Sequence, residues 1–387
     1  MHFTFHVTAL PHTQTTKSHN ACAYTMKVWN FCKMMMNLGH TVYHYGCESS
    51  NPPCTEHINI ITLAEQKKLF PQNDWHKEFY NIEWDSNKPY WKLANNRSIE
   101  EIKKRSKKDD FLCIIGGTCQ KPIADAFPKD IKTVEFGVGY QGVFAFFKIF
   151  ESYAHQAKIY GNTAIDPDGH FYDAVIPNYF DVTEFPFCPI KKDYYLYIGR
   201  LIKRKGIQIA IDTCNTIQAK LIIAGQGIDH FKNGTNGYIK CTDGGYYEAN
   251  LEYIGFADII KRAQLMGEAK AVFVPTLYLG PFEGVNVESQ LCGTPVITTD
   301  WGVFPETVEH GKTGYRCRTH EQFCWAAKNL DKLASPQYIR DRAVYNYSLE
   351  KVALMYQEFF YLVNNLSKKG YYEENNERTE LNWLIKK

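Results

Sequence analysis

Polar and apolar residues alternate from His2 to Thr8, the period of a strand. The stretch PHTQTTKSHN then supplies a turn and helix-capping residues, and the apolar-periodic run after it predicts a helix to about Leu38, closed by Gly39. TVYHY reads as a second strand and CESSNPPC as a polar turn, so the chain opens strand, helix, strand, the unit from which parallel sheets are made. Further buried-strand candidates are INIIT at 58–62, FLCII at 111–115, TVEF at 133–136 and DAVI at 173–176, with helical segments between them. In 177–193, PNYFDVTEFPFCPIKKD, three prolines and the lack of any period predict a connection between domains. The pattern then restarts with strand YYLYIG at 194–199, a helix from about Gly206 to Ile217 and strands AKLIIAG at 219–225 and LEYIG at 251–255. A helix near 258–268, strand AVFVP at 271–275, a helix opened by VNVESQLCG and strand PVITT at 295–299 follow. Near the end, YSLEKVALMYQEFFYLVNNL has the apolar spacing of an amphipathic helix. The expected organisation is an α/β chain of two doubly wound domains: 1–180, a linker at 181–193, 194–347, a C-terminal helix at 348–366 and a polar tail at 367–387.

Composition agrees with two domains, because 387 residues exceed the roughly 250–300 at which one hydrophobic core stops growing. Forty-four Lys plus Arg against 42 Asp plus Glu leave a formal charge of +2, which argues against a surface built throughout for nucleic acid. The opening MHFTFHVTAL has neither a basic nor an apolar signal region, and no stretch approaches the 18 apolar residues of a spanning helix. A cytoplasmic protein without stable membrane insertion is the expectation. The twelve cysteines form no CxxC pair and no Cys/His cluster at zinc spacing, so reduced, mostly buried thiols and no metal site are expected. Met34, Met35 and Met36 fall inside the first helix and read as core packing.

The strongest chemical signal is YIGRLIKRKGIQIAID, where a buried strand ends in Gly199, two cations follow at Arg200 and Lys205, and a helix begins near Gly206. A helix N-terminus offers unpaired N–H groups, Arg a forked contact and Lys a point charge, a set that suits a diphosphate. A plain surface cluster of cations competes with this reading. The second signal, PTLYLGPFEGVNVESQLCGTPVITTDWG, joins a Gly/Pro-rich loop to a helix expected to carry Glu288 in its first turn. Backbone N–H groups around Gly284 and Val285 could meet phosphate or sugar oxygens, and Glu288 could accept both hydroxyls of a ribose; a favourable contact with the helix dipole is the alternative.

Together these segments resemble the C-terminal half of retaining glycosyltransferases of the GT-B fold, glycosyltransferase family 4. YIGRLIKRKG, LIIAGQG, YIGF, VFVPTLY, VESQLCGTPVITTDWG and ETVEHGKTGY occur in the family's order and approximate spacing, and the resemblance covers most of the chain. It implies two Rossmann-like domains facing each other across a cleft, with a C-terminal helix returning to the N-terminal domain. It also implies transfer of one sugar from a UDP- or GDP-linked donor to a hydroxyl acceptor, with retention and with neither a metal nor a further cofactor. Arg200 and Lys205 would hold and neutralise the pyrophosphate as it leaves, and Gly199, Gly225, Gly227, Ile254, Gly284, Val285 and Glu288 would bind the donor. The chain departs from the family's pair of Glu residues separated by seven others: Gly280 stands at the first position and Glu288 at the second. Glu283 stands where Gly is usual, as though GPFEG had exchanged the Glu and Gly of EPFGG, and it is the third catalytic candidate. A solvent-exposed loop acid is the alternative reading of Glu283.

The N-terminal half resembles a narrower branch of these enzymes that includes bacterial and virus-encoded members, through PHTQTTKSHNACAYTMKV, GHTVYHYG and VEFGVGYQGVFAFFKIFESYA. Its first strand-to-helix loop offers His12, Thr13, Thr15 and Thr16 toward the phosphates. Gly137, Gly139 and Gly142 read as a strand-to-helix loop followed by Glu151 near a helix end; Glu135, Tyr140 and Glu151 are the acceptor-side candidates. The acceptor is expected to be a glycan or glycoconjugate. Rival readings are a hydroxylated base in DNA, with Lys103, Lys104, Arg105, Lys107 and Lys108 as a phosphate track, a catalytically silent nucleotide-sugar binder, and another activity on a nucleotide sugar such as epimerisation. Oligomeric state is left open.

Overall fold

The computed structural model describes the chain apart from residues 20–21, 72–73, 75–79, 81, 129, 163–168 and 370–387. It divides into two compact units: Met1–Asn73, Asn81–Tyr179 and the chain from Leu349 form one, and Phe180–Ser348 with Asp74–Tyr80 the other.

The first unit runs β1 (Thr4–Thr8), α1 (Ala23–Asn37), β2 (Thr41–Cys47), β3 (Glu56–Ile61), α2 (Leu63–Leu69), α3 (Pro89–Arg105), β4 (Phe111–Ile114), α4 (Lys121–Asp125), β5 (Lys132–Val138), β6 (Phe147–Phe150), α5 (Tyr153–Asn162) and β7 (Ala174–Val175). Among the described residues its strands lie in the order β3-β2-β1-β4-β5-β6-β7 and each neighbouring pair is parallel. The order reverses between β1 and β4, the topological switch of a doubly wound sheet. FKIF at 147–150 is strand β6, so the stretch after Gly142 first rejoins the sheet, and Glu151 follows a strand and precedes α5. That corrects the expected strand-to-helix loop. Phe147, Ile149 and Phe150 give FKIF a strand's apolar character, which the buried cation Lys148 and the glycines before it masked.

The second unit runs β8 (Tyr195–Ile198), α6 (Ile207–Thr216), β9 (Leu221–Ala224), β10 (Ile228–Lys232), β11 (Gly234–Cys241), β12 (Tyr246–Tyr253), α7 (Ile259–Glu268), β13 (Val272–Val274), α8 (Gly284–Leu291), β14 (Val296–Thr299), α9 (Phe304–Thr307), β15 (Gly314–Cys317), α10 (His320–Lys328) and α11 (Pro336–Tyr347). Its strand order is β10-β11-β12-β9-β8-β13-β14-β15. Successive residues of the central strands feed two cores: Leu196, Ile198, Ile222, Val272 and Val274 one, Tyr195, Tyr197, Leu221, Ile223 and Phe273 the other. A sheet buried on both faces needs apolar residues at every position, as YLYI and LIIA supply. β10 and β11 pair antiparallel with each other and β11 with β12, an addition the sequence reading did not contain.

The proline-rich connection is pinned to the second unit. Cys188 N donates to Cys292 O (3.1 Å), and the Lys191 ammonium donates to Cys188 O, Gly267 O and Thr294 Oγ1 at 2.6–2.8 Å. Burial lowers the Lys191 pKa to about 8. After α11 the chain rejoins the first unit through α12 (Leu349–Lys369), which buries Tyr356 and Phe360 among Phe5, Phe31 and Phe111. All twelve cysteines are free and eight are buried. Met34 and Met35 lie in the core. Among the described residues no helix is long and apolar enough to cross a membrane.

Candidate functional site

In the second unit the loops after β8 and β9 lie against each other at the carboxyl ends of their strands, where doubly wound sheets bind ligands. Gly199 N donates to Ala224 O (3.0 Å), Leu201 N to Gln226 O (2.8 Å) and Gly225 N to Gly255 O (2.8 Å). A Cβ on Gly225, whose φ is +138°, would lie 1.8 Å from the Gly199 carbonyl oxygen. Gly206, at φ +72°, meets the same limit 2.0 Å from the Pro275 carbonyl oxygen and turns the chain into α6. Backbone approach this close admits only glycine. Between them Lys203–Lys205 form a 3₁₀ turn: Asp243 Oδ2 accepts the Lys203 N–H (2.7 Å), Arg204 O accepts from Leu277 N (2.9 Å), and Arg200 O accepts from the Tyr197 hydroxyl (3.1 Å). Asp243 stands in the β11–β12 turn, so the added hairpin braces the turn that carries the cations.

Lys205 reaches out of that turn to Glu283, with Nζ 2.5 Å from Oε2, and lies over the Tyr278 ring at 5.1 Å. The Glu283 side chain is only 4% exposed, which sets aside the solvent-exposed loop acid. Burial and this carboxylate hold the Tyr197 phenol well above its ordinary pKa. Glu283 is left-handed, with φ 61° and ψ 61°, at the N-cap of α8. That conformation costs a residue with a Cβ about 1–2 kcal/mol, which explains why glycine suits the position. Its carboxylate lies over Gly280, where a Cβ would fall 2.1 Å from Glu283 Oε1. The space in which a side chain at 280 would begin is therefore filled by the carboxylate from 283.

α8 begins at Gly284, so Glu288 sits in its second turn rather than its first, a correction to the sequence reading. Instead of an N-terminal dipole contact it has a cation: Glu288 Oε2 accepts from Arg262 Nε (2.6 Å) and from a second guanidinium nitrogen. Gly284 opens the helix, and Val285 and Ile254 pack partly buried against the sheet's core. Ile254 N donates to Ile223 O (3.0 Å), and Gly227 O accepts from Thr242 N (3.0 Å). Arg262, Tyr278 and Asp243 were not singled out from the sequence: Arg262 falls in no motif, Tyr278 closes the segment VFVPTLY, and Asp243 stands in the turn signal TDGG.

In the first unit, Thr13 Oγ1 is 2.7 Å from Thr25 Oγ1, and Thr15 Oγ1 is 3.1 Å from His44 Nε2, all four residues buried. His12 is buried too, and burial with neighbouring His19 lowers its pKa to about 3, so its imidazole is neutral. Thr16 pairs with Ser18 at 3.1 Å and is the one of the four not buried. Glu151 pairs with the ammonium of Lys27, both nearly inaccessible, and that ammonium also donates to Gly137 O (2.8 Å). Lys27 falls on the apolar stripe of α1, four residues before Phe31, and a lone cation in that phase was a legible signal.

Glu135 is fully buried and its carboxylate accepts from Phe144 N (2.8 Å), Ala145 N (2.8 Å) and the Tyr140 hydroxyl (3.1 Å). Burial still raises its pKa to about 7 against the pull of these donors and of Lys148. A carboxyl with a raised folded pKa binds its proton more tightly folded than unfolded, so its contribution to stability is full below about pH 4.3 and is lost as pH rises through 7. Wild type is therefore expected to lose thermal stability relative to Glu135→Gln across that window. Melting curves of both proteins at several pH values check this, and a constant difference would count against it.

Of the five cations in 103–108, Lys104 and Arg105 already form ion pairs, with Glu101 and with Glu56 and Glu101.

Comparison with known proteins starts in the second unit. Residues 192–333 match the family described as Glycosyl transferases group 1. The matched segment contains Arg200, Lys205, Glu283 and Glu288. The glycogen synthase of Mycobacterium tuberculosis is 28% identical over 184 residues, which take in 44% of this chain and 42% of that protein. The chain thus matches less than half the length of this curated relative. Among solved structures, the sucrose-phosphate synthase from Thermosynechococcus elongatus has a TM-score of 0.67 at 15% identity, covering 93% of this chain and 99% of that one. Anabaena HepE, solved in complex with UDP and glucose, has a TM-score of 0.59 at 15% identity, covering 92% of this chain and 99% of that one. These likenesses carry the fold, two Rossmann-like parallel sheets with flanking helices as in GT-B glycosyltransferases.

Proposed function

We propose that the protein is a glycosyltransferase that moves one sugar from a nucleotide-diphosphate sugar to a hydroxyl of a glycan or glycoconjugate. One observation carries the reading: Lys205, on the turn after β8, meets a buried carboxylate that fills the space over Gly280, inside the segment that matches the family. A cation held by a buried acid at the carboxyl ends of β8 and β9 suits a sugar diphosphate, whose phosphates would take the ammonium and whose sugar hydroxyls would meet the acid. Arg200 follows Gly199 on the same loop and supplies a second counter-charge. UDP is the favoured leaving group, because HepE, which shares the fold, was solved with UDP and glucose.

In the proposed reaction the bond between the anomeric carbon and the diphosphate oxygen breaks while the acceptor oxygen forms the new glycosidic bond. The acceptor proton passes to the departing phosphate, and Arg200 and Lys205 stabilise the charge that develops there. Retention at the anomeric carbon follows if both bonds lie on one face of the sugar, and the two cations supply the counter-charge that a divalent ion would otherwise provide.

A ligand that binds only the folded state raises apparent stability. UDP and UDP-sugars at saturation are therefore expected to raise the melting temperature of the full chain more than GDP or its sugars do. Unchanged melting curves with every nucleotide would overturn the donor reading; turnover of the donor without an acceptor-linked product would point to epimerisation or hydrolysis instead.

A further inference from the structure

The first unit presents a row of aromatic rings that the donor reading does not use. Tyr24 stands in the first turn of α1, which follows β1, and Tyr140 in the loop after β5; their ring centroids are 6.0 Å apart at 60°. Trp84 continues the row 6.0 Å from Tyr24 at 69°, with Trp91 beyond it at 5.7 Å. A Cβ on Gly117, just after β4, would lie 2.8 Å from the Tyr140 ring, so the row passes the ends of β1, β4 and β5. Those are the carboxyl ends flanking the switch between β1 and β4, where such sheets bind ligands.

The row is held in place by its polar atoms. Tyr24 donates its hydroxyl to Gly139 O (3.0 Å), and Tyr140 donates its own to Glu135. The carbonyl of Glu83, the residue before Trp84, accepts from the Tyr90 hydroxyl and from the Trp91 indole N–H, both at 3.1 Å. Asp85 Oδ1 then accepts the Asn87 N–H (2.9 Å) and closes the turn. A turn fixed by two aromatic donors thus presents a Trp that is 48% exposed. Trp91 is buried beneath the row, whereas Trp84 is exposed and Tyr24 and Tyr140 are partly exposed, and exposed ring faces pack against the C–H faces of sugar rings while polar groups at the edges take hydroxyls.

Charge separates a sugar from a nucleic acid. The Lys27 ammonium over the Tyr24 ring is paired with Glu151, and Lys88 is paired with Glu83. Asp85 adds a carboxylate near Cys119, whose thiol burial and then this charge push up to about 11. The exposed carboxylates of Glu83 and Asp85 on either side of Trp84 repel a polyanionic strand, so the row favours a neutral ligand.

We propose that Trp84, Tyr24 and Tyr140 form a stacking platform for a neutral saccharide, and that this saccharide is the acceptor of the transfer. The word acceptor rests on the proposed function; the platform itself does not. The test is binding of the full-length protein to an array of neutral oligosaccharides and to single-stranded oligothymidylate, with Trp84→Ala and Trp84→Phe beside wild type. Trp84 is half-exposed, so neither variant is expected to disturb folding. Wild type is expected to bind at least one neutral oligosaccharide; Trp84→Ala should weaken it at least about tenfold, and Trp84→Phe should keep affinity within about threefold. The rise in melting temperature with UDP should be the same in all three proteins. No neutral glycan bound by wild type, or equal binding by Trp84→Ala, overturns the platform, as does oligothymidylate binding that Trp84→Ala alone abolishes. Glycan binding that depends on Trp84 without any nucleotide response leaves the platform standing and removes the donor reading.

Discussion

Replacing Lys205 with alanine is expected to lower the rate of sugar transfer by about 10²–10³-fold, the loss that follows removal of one preorganised charge-stabilising group from a reaction site. The same change has a second effect that its geometry dictates. Lys205 is the cation 2.5 Å from Glu283, and the Glu283 side chain is 4% exposed, so the single variant leaves a buried carboxylate without its partner. Breaking a buried pair from one side costs about 3 kcal/mol, toward the low end of the range here because the ammonium is one-fifth exposed. Loss of activity in Lys205→Ala alone would thus mix a chemical effect with a folding effect. The double variant Lys205→Ala/Glu283→Gln removes the stranded charge and is expected to recover most of the stability and none of the rate. Denaturant unfolding and initial rates at saturating donor, measured on wild type, both variants and Arg200→Ala, separate the two effects. Wild-type turnover by folded Lys205→Ala would end the assignment of a catalytic charge at this position.

That correction to a simple alanine test shows what a sequence carries and what it leaves out. Strands β8, β9, β13 and β14 were legible because a sheet covered on both faces requires unbroken apolar runs, and YLYI, LIIA, VFV and VITT answer to that requirement. Arg200, Lys205 and the glycines around them were legible because strand, loop and helix start follow one another within a dozen residues. The hairpin of β10 and β11 was missed although NGTNG and TDGG mark turns at 233–237 and 242–245. β10 is exposed along nearly its whole length, so no apolar alternation announces it. Its consequence for the site, Asp243 on the Lys203 amide, joins residues 40 apart and has no local pattern at all. The Arg262–Glu288 pair is likewise a tertiary fact, set by how α7 and α8 lie together. Lys27 and Glu283 are intermediate cases, since a cation on an apolar helix phase and a Glu where glycine is usual both raise the question that the structure answers.

The exchange between positions 280 and 283 yields the other large expected effect. Gly280→Glu places a Cβ about where Glu283 Oε1 now lies, 2.1 Å away, so the resident carboxylate must leave and its contact with Lys205 is lost or shared between two like charges. Glu283→Gly relieves the left-handed backbone at φ 61° but leaves Lys205 without its acid. Each single variant is therefore expected to lose at least about 10²-fold in transfer rate, for opposite reasons: one crowds the site with carboxylate, the other empties it. The double variant Gly280→Glu/Glu283→Gly restores one carboxylate over the same spot, now from the residue beneath it, and gives position 283 the glycine that its backbone favours. It is expected to recover to within about tenfold of wild type, a coupling of several kcal/mol between two positions three residues apart. Rates of all four proteins, with melting curves to exclude misfolding, measure that coupling. If the losses simply multiply in the double variant, the carboxylate from 283 does not stand in for a side chain at 280, and Glu283 serves only to hold Lys205. Recovery means that the site requires an acid in this space and is indifferent to which of the two positions supplies it.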